Sequence, residues 1–241
     1  RNPDRALVAE LLRLNDLIDL IVPRGGKPLI ERVRDEASMP VVAGGIGICH
    51  TYVDGAADTA MAVDIVDNAK TRRISICNAL DVVLLHRDAA AAFLPALVER
   101  WGGSVEIRAD EASLGTLQKA GANAIAVGPD DYDTEFLAMR CALHVVDDLD
   151  AAIQHIADHW SGHSEAIVTN DYHNAERFLN EVDAAAVFVN TSTQFNDGGQ
   201  FGLGAEVGIS TGKMHARGPM GLRELTSYKW VVRGDGQIRP G

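Results

Sequence analysis

Residues 141–190 read CALHVVDDLDAAIQHIADHWSGHSEAIVTNDYHNAERFLNEVDAAAVFVN. Short apolar runs typical of buried strands alternate there with segments of helical spacing, in the order strand 141–146, helix 149–160, strand 165–169, helix 173–182 and strand 185–190. Apolar strands that alternate with helices are typical of a parallel sheet whose strands are joined by crossover helices. The stretch therefore predicts an α/β fold.

The same alternation extends through the preceding residues. Residues 16–45 have the pattern of a strand, a turn, a helix and a second strand, a unit that packs into a parallel sheet. Beyond it, the pattern predicts a helix at 58–73, a strand at 80–86, a helix at 89–102, a strand at 124–128 and an acidic loop at 129–135.

The character of the chain changes after Thr191. Residues 191–221 are rich in glycine and have few apolar runs, and a loop of this length is usually functional or disordered. The following segment SYKWVVRG, residues 227–234, combines aromatic and β-branched residues and predicts one isolated strand.

Composition limits the classes of function. The chain has 241 residues and a net charge of -12, which argues against a nucleic-acid partner because phosphates would be repelled over most of the surface. No apolar run is long enough for a membrane span, so no membrane partner is expected. The chain begins without methionine inside an apparent helix, so we expect a fragment of a longer polypeptide.

The segment PRGGK, residues 23–27, lies between the first predicted strand and its helix. Gly25 and Gly26 would let backbone N–H groups approach a phosphate at the helix N-terminus, and Arg24 and Lys27 add positive charge. A Gly-Gly pair is also typical of a plain tight turn, and that alternative stays open here.

Cys77 lies in the segment KTRRISICNALD between a predicted helix and a predicted strand. Lys70, Arg72 and Arg73 could lower its pKa and favour the nucleophilic thiolate. The same cations could simply complement the helix dipole. Cys141 opens an apolar strand and Cys49 has no partners at metal-ligand spacing, so we expect reduced thiols and no metal site.

Three further residues have a functional and a structural interpretation. Glu135 could bond a ribose hydroxyl or be one more solvated acid of its loop, and the residues alone favour the second. Arg217 could hold a carboxylate or phosphate in a bidentate fork, although such an arginine more often braces a loop. His163 has no acidic partner at fixed spacing and is expected to be a loop histidine.

Six motifs taken in order resemble the gamma-glutamyl phosphate reductase family, a branch of the aldehyde dehydrogenase superfamily. They are VPRGGKPLI (22–30), GICHTYVD (47–54), NAKTRRISICNALD (68–81), SGHSEAIVT (161–169), FGLGAEVGIST (201–211) and HARGPMGLRELTSYKWVVRGDGQIR (215–239). The resemblance covers essentially the whole chain with similar spacing.

The resemblance implies the C-terminal part of an aldehyde dehydrogenase-like protein. Residues 1–45 would be the end of a Rossmann-like cofactor domain, and residues 46–224 would be a three-layer α/β/α catalytic domain. Residues 225–241 would supply an oligomerisation strand and tail, so a homo-oligomer is expected.

The resemblance also implies roles for individual residues. Cys77 falls on the catalytic cysteine, and Asn78 is a candidate for holding the oxyanion. The implied cofactor-binding residues are Gly25, Gly26, Lys27 and Glu135, and the implied substrate-binding residues are Arg73, Asn190, Ser192, Thr193 and Arg217.

The implied reaction is the NADPH-dependent reduction of L-glutamyl 5-phosphate to L-glutamate 5-semialdehyde and phosphate, in proline biosynthesis. Hydrolytic relatives place a glutamate upstream of the cysteine, where this chain has Val42 or Ala43, so a base for water attack is not expected. Ile46 departs from an acidic residue common in the family. The alternatives are another NAD(P)-dependent acylating aldehyde dehydrogenase or, for the fragment alone, an inactive oligomerisation module. A cytoplasmic location and glutamate 5-kinase as a partner are further expectations.

Overall fold

A computed structural model describes residue 4 and residues 6–241, apart from the side chain of Lys27. The helices are α1 (Leu7–Leu11), α2 (Lys27–Glu36), α3 (Thr59–Thr71), α4 (Ala90–Trp101), α5 (Glu111–Lys119), α6 (Leu149–Asp158) and α7 (Tyr172–Glu181). The strands are β1 (His50–Val53), β2 (Val82–His86), β3 (Glu106–Ala109), β4 (Ala124–Ala126), β5 (Arg140–Val146), β6 (Ser164–Val168), β7 (Ala186–Val189), β8 (Ile209–Ser210) and β9 (Gly218–Pro219).

A seven-stranded parallel sheet organises these elements. Its strand order is β4-β3-β5-β2-β1-β6-β7, and β8 and β9 form a separate antiparallel pair. In the centre of the sheet, His50 of β1 is in register with Val82 of β2 and with Glu165 of β6. The predicted α/β fold is therefore confirmed.

Helices cover both faces of the sheet, which gives three layers. Val83 and Leu85 of β2 pack on one side with α3, α4 and α5, whereas Val82 and Leu84 pack on the other side with α6 and α7. All four side chains are fully buried. Burial on both faces explains why β2 is a continuous apolar run rather than an alternating one.

Four of the helices begin at an aspartate. The side chain of each accepts a hydrogen bond from a backbone N–H of the first turn, and the residues are Asp58, Asp110, Asp148 and Asp171. A cap of this kind contributes about 1 kcal/mol to helix stability. The caps fix where each helix starts after its strand.

Five elements were not anticipated from the sequence, namely β1, β3, α5 and the short strands β8 and β9. Strand β1 has the sequence HTYV, and β3 with EIRA is followed by α5. Both strands contain polar or charged residues, which the sheet accepts because partners are supplied from elsewhere. The side chain of Glu165, for example, accepts a hydrogen bond from the backbone N–H of His50.

Two predicted strands are much shorter than expected. Of the strands predicted within residues 16–45, only a parallel bridge between Ile21 and Val41 forms. Pro23 and Pro40 flank this bridge and lack the N–H group that a longer ladder needs. The helix between them, α2, is confirmed.

The predicted strand at 227–234 does not form in this chain. Its residues carry no strand assignment, and Trp230 is 85% exposed. A strand needs a hydrogen-bonded neighbour, and no described residue pairs with this segment. Its part in an oligomer remains a prediction. No described helix has the length and apolar character needed to cross a membrane.

A cluster of aromatic rings lies where α6 faces the sheet. The ring of His155 lies 4.8 Å from that of Tyr132 and 5.0 Å from that of His144, measured between centroids. The rings of His50 and His159 complete the cluster. Burial, reinforced by His50, His144 and His159, lowers the pKa of His155 to about 2.

We expect this cluster to make the fold sensitive to acid. Below pH 6.5 the unfolded chain binds a proton at His155 that the folded chain does not, so stability falls by about 1.4 kcal/mol per pH unit. When the pH is lowered from 7 to 5, the free energy of unfolding should therefore decrease by about 2 kcal/mol less in His155→Phe than in the wild type. Urea unfolding at both pH values measures this.

The exposed imidazole of His173 supplies the control. His173→Gln should keep the wild-type dependence on pH, because that side chain lies at the surface. An unchanged dependence in His155→Phe would show that His155 is not the group responsible.

Candidate active site

The candidate site forms where three neighbouring strands begin. Cys77 lies in the loop that leads into β2, Gly47 precedes β1, and Glu135 precedes β5. Because β5, β2 and β1 are adjacent and parallel, their preceding loops meet at the amino edge of the sheet. Sequence positions far apart are thereby brought together.

The loop of Cys77 is held by the segment in front of β1. The thiol of Cys49 lies 3.2 Å from the carbonyl oxygen of Cys77 and donates a hydrogen bond to it. Gly47 lies so close that a Cβ there would overlap the same carbonyl group and would lie 3.0 Å from the Cβ of Cys77. The position therefore requires glycine for close approach of two backbones.

Glu135 reaches the same place from the loop before β5. Burial raises the pKa of this half-buried acid, and the backbone N–H of Gly47, which its carboxylate faces, opposes that rise. Two residues singled out from the sequence, Cys77 and Glu135, thus flank one glycine.

The thiol of Cys77 is not activated by the cations near it in sequence. Burial, followed by the negative charges of Glu135 and Glu206, raises the pKa of Cys77 to about 11, while Arg24 acts weakly in the opposite direction. The expectation that Lys70, Arg72 and Arg73 lower this pKa is corrected by the structure.

Two of these three cations, Lys70 and Arg72, are bound to partners other than Cys77. Lys70 is fully buried, donates to the carbonyl oxygen of Leu80 at 2.8 Å and lies 3.8 Å from Asp81. The guanidinium of Arg72 donates to the side chain of Gln194 at 2.5 Å. Lys70 is therefore not available to an anionic substrate. Arg73 is exposed and forms no ion pair with any described residue.

Asn78 turns away from Cys77. Its side-chain amide donates to the carbonyl oxygens of Asn196 at 3.0 Å and Gln194 at 3.5 Å, and Thr193 donates to its backbone carbonyl at 2.8 Å. Both amide hydrogens are thus directed at protein acceptors. In this arrangement Asn78 and Thr193 join two loops, and Thr193 is itself fully buried.

A cleft of about 520 Å³ runs along the outside of α3. Arg72, Arg73, Asn190 and Ser192 line it, so it brings together three of the predicted substrate-binding residues. Asn190 adopts a left-handed backbone with φ of 53°, and its side chain exchanges two hydrogen bonds with the backbone of Thr169, each 2.9 Å long.

Arg217 lies apart from this cleft. Its Nη2 atom lies 2.8 Å from the carboxylate of Asp183, which also pairs with Lys213. The described structure does not bring Arg217 together with Cys77 or Arg73; it favours the interpretation of a loop brace.

The glycine turn precedes α2 as predicted. Gly26 is the residue before the helix, no side chain caps it, and both Gly25 and Gly26 are exposed. In the first turn Pro28 has no N–H and the N–H of Leu29 is bonded to the carbonyl oxygen of Gly26, so the backbone N–H of Lys27 is the one left for a ligand there. The side chain of Lys27 lies outside the described residues. Among those described, no group of three His, Cys, Asp or Glu side chains could hold a metal ion.

The chain is similar to known proteins both in fold and in sequence. The structure superposes on the crystal structure of gamma-glutamyl phosphate reductase from Thermotoga maritima with a TM-score of 0.92 and 48% sequence identity, covering 99% of this chain and 57% of that one. The chain has an aldehyde dehydrogenase-like α/β fold. Residues 141–231 match the aldehyde dehydrogenase family itself.

Curated relatives that are also named gamma-glutamyl phosphate reductase are more similar to this chain in sequence than the protein of that crystal structure is. The chain is 58% identical over 240 residues to gamma-glutamyl phosphate reductase of Dehalococcoides mccartyi and 52% identical over 239 residues to that of Escherichia coli O127:H6. Each match covers 99% of this chain, which spans 57% of the relative's length.

The negative surroundings of Cys77 generate a first prediction for this site. Glu135→Gln removes a charge that disfavours the thiolate, so alkylation of Cys77 by iodoacetamide at pH 8.5 should accelerate about threefold or more, since one pKa unit changes the thiolate fraction tenfold. Peptide mass spectrometry follows the rate. Asp130→Asn, an exposed acid of the same loop, should leave it unchanged. Equal rates in wild type and Glu135→Gln would contradict the described geometry.

The close approach at Gly47 generates a second prediction. Gly47→Ala should lower the unfolding free energy by about 1–3 kcal/mol, because the new methyl group meets the backbone of Cys77. Gly45→Ala is the matched control, since its Cβ would lie 3.7 Å from the side chain of Thr211, an ordinary contact. That variant should stay within about 1 kcal/mol of wild type. Urea midpoints that fall equally in both variants would refute the close approach.

Proposed function

We propose that the protein to which this chain belongs reduces L-glutamyl 5-phosphate to L-glutamate 5-semialdehyde and phosphate, with NADPH as reductant, in proline biosynthesis. The observation that carries the proposal is the cysteine loop, fixed by Cys49 and Gly47 beside Glu135, in a chain 52–58% identical to named gamma-glutamyl phosphate reductases. We further propose that residues 1–45 form the C-terminal end of the cofactor-binding domain and that residues 46–224 form the catalytic domain.

Cys77 acts as the nucleophile in this proposal. Its thiolate sulfur attacks the acyl carbon of the substrate, the bond between that carbon and the phosphate oxygen breaks, phosphate leaves with the electron pair, and a thioester remains on the protein. The glycine turn before α2 and Glu135 would hold NADPH, which would supply the hydride that reduces the acyl group of the thioester. The aldehyde leaves as the carbon–sulfur bond breaks and the thiolate is restored.

The residues around the glycine turn and Glu135 fit a nicotinamide cofactor. The N-terminus of α2 would present the backbone N–H of Lys27 and the positive end of the helix dipole to phosphate oxygens, with Gly25 and Gly26 allowing close approach. The Glu135 carboxylate would accept a hydrogen bond from a ribose hydroxyl of the cofactor, close to Cys77. Preference for NADPH, rather than a nicotinamide cofactor in general, is part of the proposal.

The cleft beside α3 is proposed to receive the anionic parts of the substrate. Neither Arg72 nor Arg73 has an ionic partner among the described residues, but Arg72 donates to Gln194, so Arg73 is the better candidate for the anion. Asn190 and Ser192 supply polar groups. In place of a base for water attack, the chain has the buried Val42 and the apolar Ala43. A thioester at Cys77 would therefore be transferred to phosphate rather than hydrolysed.

Three further proposals concern the protein in the cell. Residues 227–234 would form a strand with a neighbouring copy in a homo-oligomer, which fits the exposure of Tyr228 and Trp230. Glutamate 5-kinase would supply the labile acyl phosphate. The location would be the cytoplasm, which fits three cysteines that are all free thiols.

The test is a substitution in the complete protein. Cys77→Ala should reduce phosphate-dependent oxidation of the semialdehyde at least about a thousandfold, because no nucleophile remains, while the Kd for NADPH changes little. Cys141→Ala, which alters a buried thiol of β5, should retain activity. More than about 1% residual activity in Cys77→Ala would overturn the mechanism. Oxidation that proceeds equally without phosphate would overturn the proposed substrate class.

A further inference from the structure

A buried ion pair lies between the end of α3 and the start of β2. Lys70 and Asp81 have side chains that are 0% and 2% exposed, and Lys70 Nζ lies 3.8 Å from Asp81 Oδ1. Lys70 also donates to the carbonyl oxygen of Leu80 at 2.8 Å. Its ammonium group lies 5.9 Å from the centre of the Phe136 ring.

The carboxylate of Asp81 reaches across to the loop before β5. Its Oδ1 atom accepts a hydrogen bond of 3.0 Å from the backbone N–H of Phe136. Phe136 directly follows Glu135, so this hydrogen bond fixes the peptide group on one side of Glu135. The side-chain carboxylate of Glu135 faces the backbone N–H of Gly47.

A continuous series of contacts therefore runs from Lys70 to the nucleophile. Lys70 pairs with Asp81, Asp81 holds the peptide after Glu135, and the Glu135 carboxylate reaches Gly47, which lies against the carbonyl group of Cys77. Lys70 and Asp81 touch neither the thiol nor the cleft beside α3 in this arrangement.

Stability alone does not account for a pair in this place. A buried ion pair recovers little more than its desolvation cost, and replacing both partners by apolar residues is often neutral or stabilising. What apolar residues could not supply is an acceptor for the N–H of Phe136. Burial raises the pKa of Asp81 to about 7, with Lys70 opposing and Glu135 reinforcing that effect. The thiols of Cys49 and Cys141 also face Asp81.

We propose that Asp81, held in place by Lys70, is a positioning residue that sets where the Glu135 carboxylate stands relative to Cys77. The inference deepens the proposed function, because it rests on Glu135 being the residue that holds the cofactor ribose. It assigns no chemical step to Asp81 itself.

A double-mutant cycle on alkylation of Cys77 tests this placement without cofactor or substrate. The background variant is Lys70→Met with Asp81→Leu, which removes both charges together and leaves neither buried without a partner. Glu135→Gln is then made in wild type and in this background. The rate ratio with and without Glu135→Gln should be about threefold or more in wild type and should fall to about one in the background.

The ratio separates positioning from general loosening of the fold. Loosening would change the alkylation rate with and without Glu135→Gln alike and would leave their ratio intact. Circular dichroism and urea midpoints establish that each variant is folded at the assay temperature. An equal ratio in wild type and background would overturn the proposal. Because the readout needs no turnover, this result is independent of whether the reductase activity is confirmed.

A second measurement needs neither Lys70→Met nor Asp81→Leu. It therefore tests the proposal even if the variant with both substitutions does not fold. In nuclear magnetic resonance spectra, the amide proton of Phe136 and the carboxyl carbon of Asp81 should titrate together, with a midpoint near pH 7. In Asp81→Asn the titration of the Phe136 amide should disappear. A Phe136 amide that stays fixed while the Asp81 carboxyl titrates would overturn the proposal.

Discussion

The parallel register of three adjacent strands creates the candidate site. Strands β5, β2 and β1 lie side by side and run in the same direction, so the loops in front of them converge at one edge of the sheet. That convergence places Glu135, Cys77 and Gly47 together although they are far apart in the chain. In many open α/β sheets ligands bind at the carboxyl edge instead. Here the carboxyl end of β7 carries Asn190, which belongs to the cleft beside α3.

Electrostatics around the cysteine oppose what its sequence neighbours indicate. Three cations precede Cys77, yet the carboxylates of Glu135 and Glu206 act on the thiol instead, and burial adds to their effect. A nucleophile in such surroundings stays protonated until something changes its environment. Substrate binding, cofactor binding and contacts outside this chain are physical means by which the thiolate could be favoured.

Much of the fold could be predicted from local pattern, whereas most of the site could not. Periodicity located α3, β2 and α6 because their apolar faces are continuous. It missed β1 and β3, whose histidine and glutamate side chains find partners only after folding. Glu135 resembled an ordinary solvated acid, since nothing nearby in sequence shows that its carboxylate is half-buried and faces Gly47. Arg217 was singled out by its motif, yet its partner Asp183 is supplied by the folded chain.

Asn190 illustrates how a backbone requirement can resemble a ligand requirement. Its φ of 53° is a conformation that asparagine tolerates better than most residues, and its side chain satisfies both backbone groups of Thr169. Both requirements favour asparagine at this position even if Asn190 never touches a substrate. The presence of asparagine at position 190 is therefore explained by the backbone and by Thr169, and by itself it is no support for substrate binding.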